Sequence, residues 1–287
     1  MTEKIANKTV DENRALYGVE HVIAENCKFE GDNAESALKE CGVVEAKDCR
    51  FDSSYPLWHG RVITLEDCEF TAKCRAALWY SQNIGLVNTK LHGTKALREC
   101  KNTVIRDCDI DSSEFGWSLN GVRLTDSTAS GEYFLARSKN LAIRRLSFKG
   151  KYCMQYIKDA IIIDCTLNTT AALWHSKNVT LENCVIVGEY LGWYSKNLTF
   201  KNCTIIGTKP LCYCKNVKLV DCIMQDVDCA FERSEVYAVL RGKIDSILNP
   251  TKGVVKAPEV GSIIRTDPYA RCKVLIDPYL LRGFRND

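Results

Sequence analysis

From Lys158 to Cys222 the chain writes nearly the same segment three times and begins a fourth: KDAIIIDCTLNTTAALWHS, KNVTLENCVIVGEYLGWYS, KNLTFKNCTIIGTKPLCYC, then KNVKLVDC. Each full copy has nineteen residues. A closed globular core does not repeat at so short an interval. A coil of stacked strands must, because every turn is the same cross-section laid on the last.

The Cys of each copy serves as a marker that carries the register along the chain: Cys27, Cys49, Cys68, Thr89, Cys108, Ser127, Leu146, Cys165, Cys184, Cys203, Cys222 and Arg241. The steps are 22, 19 and 21 residues, then nineteen each time, with insertions expected around Gly31 to Ser36 and Thr71 to Arg75. Residues 1–16 do not fit and are expected to cap the stack, as terminal repeats must. Residues 17–241 form the coil. Residues 242–287 hold four of the six prolines and a doubled Asp-Pro-Tyr, and are expected to be a non-repetitive tail that covers the other end.

Within a copy, the positions five and three before the marker are apolar, as in Val179 and Leu181 or Leu198 and Phe200, with polar residues between them. That period of two predicts a strand with one face inside. The marker and the position two beyond it predict a second strand, with Asp or Asn at the bend between the two. Gly recurs four after the marker, at Gly93, Gly131, Gly150, Gly188 and Gly207, where a corner would need positive φ. ALWHS or LGWYS reads as a third strand. An Asn six before the next marker can stack amide on amide and accept a left-handed turn. The expected fold is therefore all-β: a single-stranded right-handed parallel β-helix, a solenoid of about eleven rungs of nineteen residues.

Composition narrows the function classes. Net charge is +3, with 39 basic and 36 acidic residues and no basic block on one segment, so nucleic acid is not an expected partner. No apolar run is long enough to cross a bilayer, and MTEKIANKTVDENR lacks a secretory apolar core, so a cytoplasmic protein without membrane contact is expected. Sixteen cysteines would suit a small secreted disulfide scaffold, but this chain is long and rich in core residues. Buried free thiols acting as small hydrophobes are expected instead, with no metal and no cofactor.

The rung N-V-x-L-x-x-C-x-[IF]-x-G over residues 17–241 resembles the pectate-lyase-like right-handed parallel β-helix superfamily. The segments ESALKE (Glu35 to Glu40) and YPLWH (Tyr55 to His59) are similar to an uncharacterised, mainly bacterial family within it. The resemblance implies the fold and its hand, and no assigned activity. A pentapeptide-repeat helix is the alternative, but the nineteen-residue period and the lack of repeating Ala-Asn/Asp-Leu units argue against it. The signatures of polygalacturonase-like enzymes are absent, and so is an acidic cluster for the calcium of a pectate lyase.

Two columns could carry chemistry. All five tryptophans, Trp58, Trp79, Trp117, Trp174 and Trp193, fall ten before a marker, together with Arg98. They either fill a corner of the core or present an aromatic strip. Nine before the marker stand Glu40, His59, Tyr80, Glu99, Ser118, Arg137, Tyr156, His175, Tyr194, Tyr213 and Glu232, all able to hydrogen-bond and several able to move protons. By contrast the column seven before the marker, with Lys101, Lys139, Lys158, Lys177, Lys196 and Lys215, reads as a solvated face.

The first hypothesis is a β-helix that binds, and if an enzyme also processes, an oligosaccharide or other hydroxyl-rich molecule. Hydrolase, lyase and isomerase are not distinguishable. Glu40, His59 and Glu99 would be the acid–base groups, with Glu40 orienting the His59 imidazole from the neighbouring rung. Trp58 and Trp117 would be stacking platforms, Arg98 and Arg137 anchors, and Tyr80, Glu114 and His175 further ligand contacts. Glu40 and Glu99 lie three rungs apart, ~14 Å, too far for an ordinary glycosidase pair. The second hypothesis is a non-catalytic scaffold or homo-oligomer that uses the aromatic strip as its interface.

Overall fold

The computed structural model describes residues 2–281. The chain separates into two compact units, residues 1–147 and 148–287, and each is a parallel β-solenoid taken by itself below. Together they make about 14 right-handed turns of about 19 residues. Helix among the described residues is confined to one short 3-10 turn, Pro278–Leu281.

In the first unit, His21 lies opposite Val43, Val43 opposite Val62, Ile63 opposite Ile84 and Ile84 opposite Thr103. Those steps reproduce the spacing of the markers. The expected cap is itself a turn: Thr2–Ala6 pairs in parallel with His21–Glu25, and Thr9–Val10 with Lys28–Phe29. Among its described residues only Ile5 is fully buried, and Lys8 stands where later turns have Cys, so the apolar period that marks the other rungs is missing.

In the second unit, Lys158, Lys177, Lys196 and Lys215 stand directly opposite one another in successive turns. The repeat does not end at Arg241. The strands Ile244–Leu248, Lys252–Ala257, Val260–Ile264 and Lys273–Ile276 continue the parallel pairing through most of the segment expected to be a tail. Turn length changes there: Glu235 faces Lys252, and a bulge between Val220 and Cys222 sets Leu240 opposite Cys222. Leu240, not Arg241, is thus the marker, and Arg233 rather than Glu232 follows Tyr213, whose N–H donates to the Glu232 carbonyl. A fixed count of nineteen drifts off once turns shorten.

Each turn bends where Asn or Asp takes a left-handed conformation. In the second unit these are Asp164, Asn183, Asn202 and Asp221 between the two strands, and Asp159, Asn178, Asn197 and Asn216 before the first. Their side chains bond along the stack: Asn197 Nδ2 donates to Asn178 Oδ1 at 2.8 Å, and Asn216 to Asn197 at 2.9 Å. Gly131, Gly188 and Gly207 have positive φ as the corner requires. Gly93 does not, and is glycine for another reason: a Cβ there would lie 2.1 Å from the Cys74 carbonyl oxygen.

The segment ALWHS is not a strand. Alternate residues are left-handed, with Ala171, Leu173 and His175 at φ of 56°, 59° and 54°, and the same holds for Tyr190, Gly192 and Tyr194. Positive φ breaks the pleat, yet the N–H groups still reach neighbouring turns alternately: Leu173 donates back to Cys153, and Ala171 and His175 forward to Glu189 and Trp193. The backbone is satisfied without being extended.

Inside, like stacks on like. Phe29, Phe51 and Phe70 pile up at 4.9 and 4.5 Å between ring centroids. The marker cysteines point inward, and all sixteen cysteines are free, with Cys229 alone not fully buried. Burial pushes the Cys100 and Cys214 thiols up to about 12, so they remain protonated. In the marker column each thiol donates to the carbonyl two residues before it, Cys49 to Lys47 and Cys68 to Glu66 at 3.2 Å and Cys184 to Glu182 at 3.3 Å.

Candidate functional site

The left-handed corner decides which side chains reach solvent. Leu57, Leu78 and Leu97 turn in and are fully buried, the next residue lies half-buried on the surface, and the one after it is exposed. The tryptophans occupy the half-buried position, so they line the outside of the coil and do not fill its core.

In the first unit this column forms a continuous ladder of cations and indoles. Trp58 stacks on Trp79 at 5.3 Å and 6°. The Arg98 guanidinium sits 5.0 Å from the Trp79 ring and 5.5 Å from Trp117, and the Lys39 ammonium lies 5.5 Å from Trp58. Indole N–H groups of Trp58 and Trp79 donate to the carbonyls of Ala76 and Lys95. Lys39 was legible in the sequence, since it too stands ten before a marker, Cys49. Arg98 is therefore an internal member of the ladder, its faces held between two indoles, and not a free anchor.

Beside the ladder run the exposed residues. Backbone bonds place Glu40, His59, Tyr80, Glu99 and Ser118 in file: the N–H of Glu40 meets the Trp58 carbonyl, that of His59 the Trp79 carbonyl, that of Tyr80 the Arg98 carbonyl and that of Glu99 the Trp117 carbonyl. His59 stacks on Tyr80 at 5.1 Å, and both turn edges toward Trp58. Within a column rings are parallel, and between columns they are nearly perpendicular, which matches the quadrupole preference of aromatic groups.

The expected Glu40–His59 couple is not formed. Glu40 Oε2 accepts the Tyr17 hydroxyl at 3.1 Å, and this contact raises the Tyr17 pKa. Glu114 is likewise engaged, 3.2 Å from Lys95 Nζ. Among the described residues, the His59 ring and the carboxylate of Glu99 have no hydrogen-bonding or ionic side-chain partner. Arg137 is exposed at the end of the same file. No group of three or more His, Cys, Asp and Glu among the described residues is arranged to hold a metal ion.

His175 belongs to the second unit and forms its own stack. Tyr156, His175, Tyr194 and Tyr213 follow one another at 4.9, 5.1 and 5.0 Å, all nearly parallel. Next to them Trp174 stacks on Trp193 at 5.5 Å. Tyr213 is the least exposed, and burial followed by its bond to Glu232 pushes it up to about 12. Both faces of His175 and Tyr194 are covered by ring neighbours, so the stack offers edges and hydroxyls outward.

No curated protein matches this chain. Among solved structures, two trypsin-treated variants of QnrB1, a plasmid-mediated fluoroquinolone resistance protein, are similar at 13% and 10% identity over 76% of this chain and 92% and 90% of theirs. Their TM-scores, 0.16 and 0.17, are too low to bear on this chain's fold or activity. A family model does match, over residues 3–276, nearly all of the described solenoid, and the chain belongs to that family, described as a protein of unknown function (DUF3737).

Proposed function

We propose that this protein is a non-catalytic binding scaffold, and that the file His59, Tyr80 and Glu99 of the first unit holds a hydroxyl-rich ligand of the oligosaccharide class. The wider kinship with pectate-lyase-like β-helices is part of the same reading. Its support is the file itself: an imidazole, a phenol and a carboxylate, exposed and at one-turn spacing of ~4.8 Å, with no side chain among the described residues hydrogen-bonded to them. A sugar hydroxyl both donates and accepts, so a row of mixed donors and acceptors suits it better than a row of one charge. Binding without turnover follows from what is missing. Glu40 is spent on Tyr17, Glu114 on Lys95, and Glu40 stands three turns from Glu99, beyond the ~5–9.5 Å between carboxylates that glycoside hydrolysis uses.

The test is an array of neutral and acidic oligosaccharides against the intact chain, followed by titration calorimetry of any hit. Tyr80→Ala and His59→Ala should each weaken binding tenfold or more at an unchanged far-UV spectrum. Absence of any oligosaccharide hit, or light scattering that shows a dimer burying this file, overturns the reading.

A further inference from the structure

We infer that the second unit carries a separate docking strip for a linear chain of phosphates, built from Lys158, Lys177, Lys196 and Lys215. Sequence spacing sets these four in one column, which by itself reads as a solvated face. The fold puts them in one line, each directly opposite the next on adjacent parallel strands. At ~4.8 Å per turn the line is ~14 Å long, and neighbouring ammonium groups fall within the ~8 Å over which physiological salt leaves charges interacting. Like charges directly opposed on a sheet repel. All four are exposed, and among the described residues none of their ammonium groups has an ionic or hydrogen-bond partner.

The acids that could relieve this repulsion are engaged elsewhere. Asp159 accepts from Asn178, Glu182 pairs with Lys201, and Glu232 holds Tyr213. Glu235 occupies the next place in the lysine line, and its carboxylate lies 2.9 Å from Lys252 Nζ on the following strand, away from Lys215. The strip therefore has a defined end. The residue before each lysine, Ile157, Ser176, Ser195 and Cys214, is buried, and the one before that is the Tyr156, His175, Tyr194 and Tyr213 stack. Cations and phenol or imidazole edges thus share one outward face.

Three features select phosphate. The strip is one sign of charge, which asks for a polyanion. Every member is Lys, a compact point charge that suits phosphate, whereas flat carboxylates are met best by the planar fork of Arg. Bases of a single-stranded nucleic acid need free aromatic faces, and here the faces of His175 and Tyr194 are covered by their neighbours. Inorganic polyphosphate has the charge without the bases.

The experiment measures binding of medium-chain inorganic polyphosphate to the intact chain by calorimetry over a range of salt, beside poly-uridylate and a polyuronate of similar length. Polyphosphate should bind tightest. Replacing two lysines of the strip, Lys177→Gln with Lys196→Gln, should weaken it at least tenfold and flatten the log–log salt dependence by roughly 0.7 per lysine removed. Lys177→Arg with Lys196→Arg should stay within about threefold of the native chain. Lys90→Gln with Lys101→Gln, which removes the same charge from the first unit, should stay within about twofold. No binding at low salt, equal loss in both Gln pairs, or preference for the polyuronate or poly-uridylate overturns the assignment. Because the oligosaccharide file lies in the other unit, neither outcome bears on the Tyr80 and His59 variants.

Discussion

Arg98 holds its guanidinium 5.0 Å from the ring of Trp79 and has Trp117 on its other side at 5.5 Å. A half-buried cation between two indoles joins adjacent turns through contacts that water screens poorly. Arg98→Ala should therefore cost about 1–3 kcal/mol, combining two cation–π contacts with lost packing of the stem. Arg98→Lys should recover part of it, because an ammonium cannot lie flat against both rings. Urea denaturation of the three proteins decides this, with an unchanged midpoint for Arg98→Ala as the contrary result.

Alkaline pH should expose the Tyr213–Glu232 contact. The folded Tyr213 ionises at about 12, above the ordinary value of 10.0, because of burial and the neighbouring carboxylate. A raised folded value means that its contribution to stability is complete below pH 10 and is lost as pH climbs toward 12. Tyr213→Phe should remove that part of the alkaline slope. Phenolate absorbance should likewise show a late-titrating tyrosine, besides Tyr17 which Glu40 also raises, that is lost in Tyr213→Phe.

Gly207 stacks on Gly188, and a Cβ at Gly207 would lie 2.4 Å from the Gly188 carbonyl oxygen at a φ of 126°. Both the contact and the dihedral reject a side chain. Gly207→Ala should cost about 2–4 kcal/mol, against a few tenths for an exposed strand substitution such as Thr166→Ala. Equal midpoints for the two would show that the corner relaxes easily.

The thiols should be silent in the native chain. Fifteen of the sixteen cysteines are buried, and Cys229, the remaining one, is held above its ordinary value by burial and by Asp228. A thiol reagent at pH 7.5 should modify at most one group slowly before unfolding and all sixteen afterwards. Rapid native modification of several would mean that the coil opens locally.

Much of this architecture can be read from spacing because a solenoid maps distance along the chain directly onto position in space. His59 and Tyr80 stack because they stand at the same count before Cys68 and Thr89. What escapes is whatever the count cannot carry. The side of the coil on which Trp58 lies depends on positive φ at Leu57 and His59, and leucine has no intrinsic taste for it. The first turn escapes because Thr2–Ala6 buries one residue, and the last turns because their length falls from nineteen. Glu40 meets Tyr17 and not His59 because a side chain can reach either adjacent turn, and the sequence does not say which. The lysine line was legible as a column and missed as a field, since no stretch of the sequence is itself basic.

Since each turn pairs only with its neighbours, the chain has a natural unit of editing. Excising residues 177–195 would bring Lys158 opposite Lys196, Ala160 opposite Leu198 and His175 opposite Tyr213, with every file intact but one place shorter. A shape assembled this way can change its reach without changing its grammar, and relatives of differing length would then differ by whole turns.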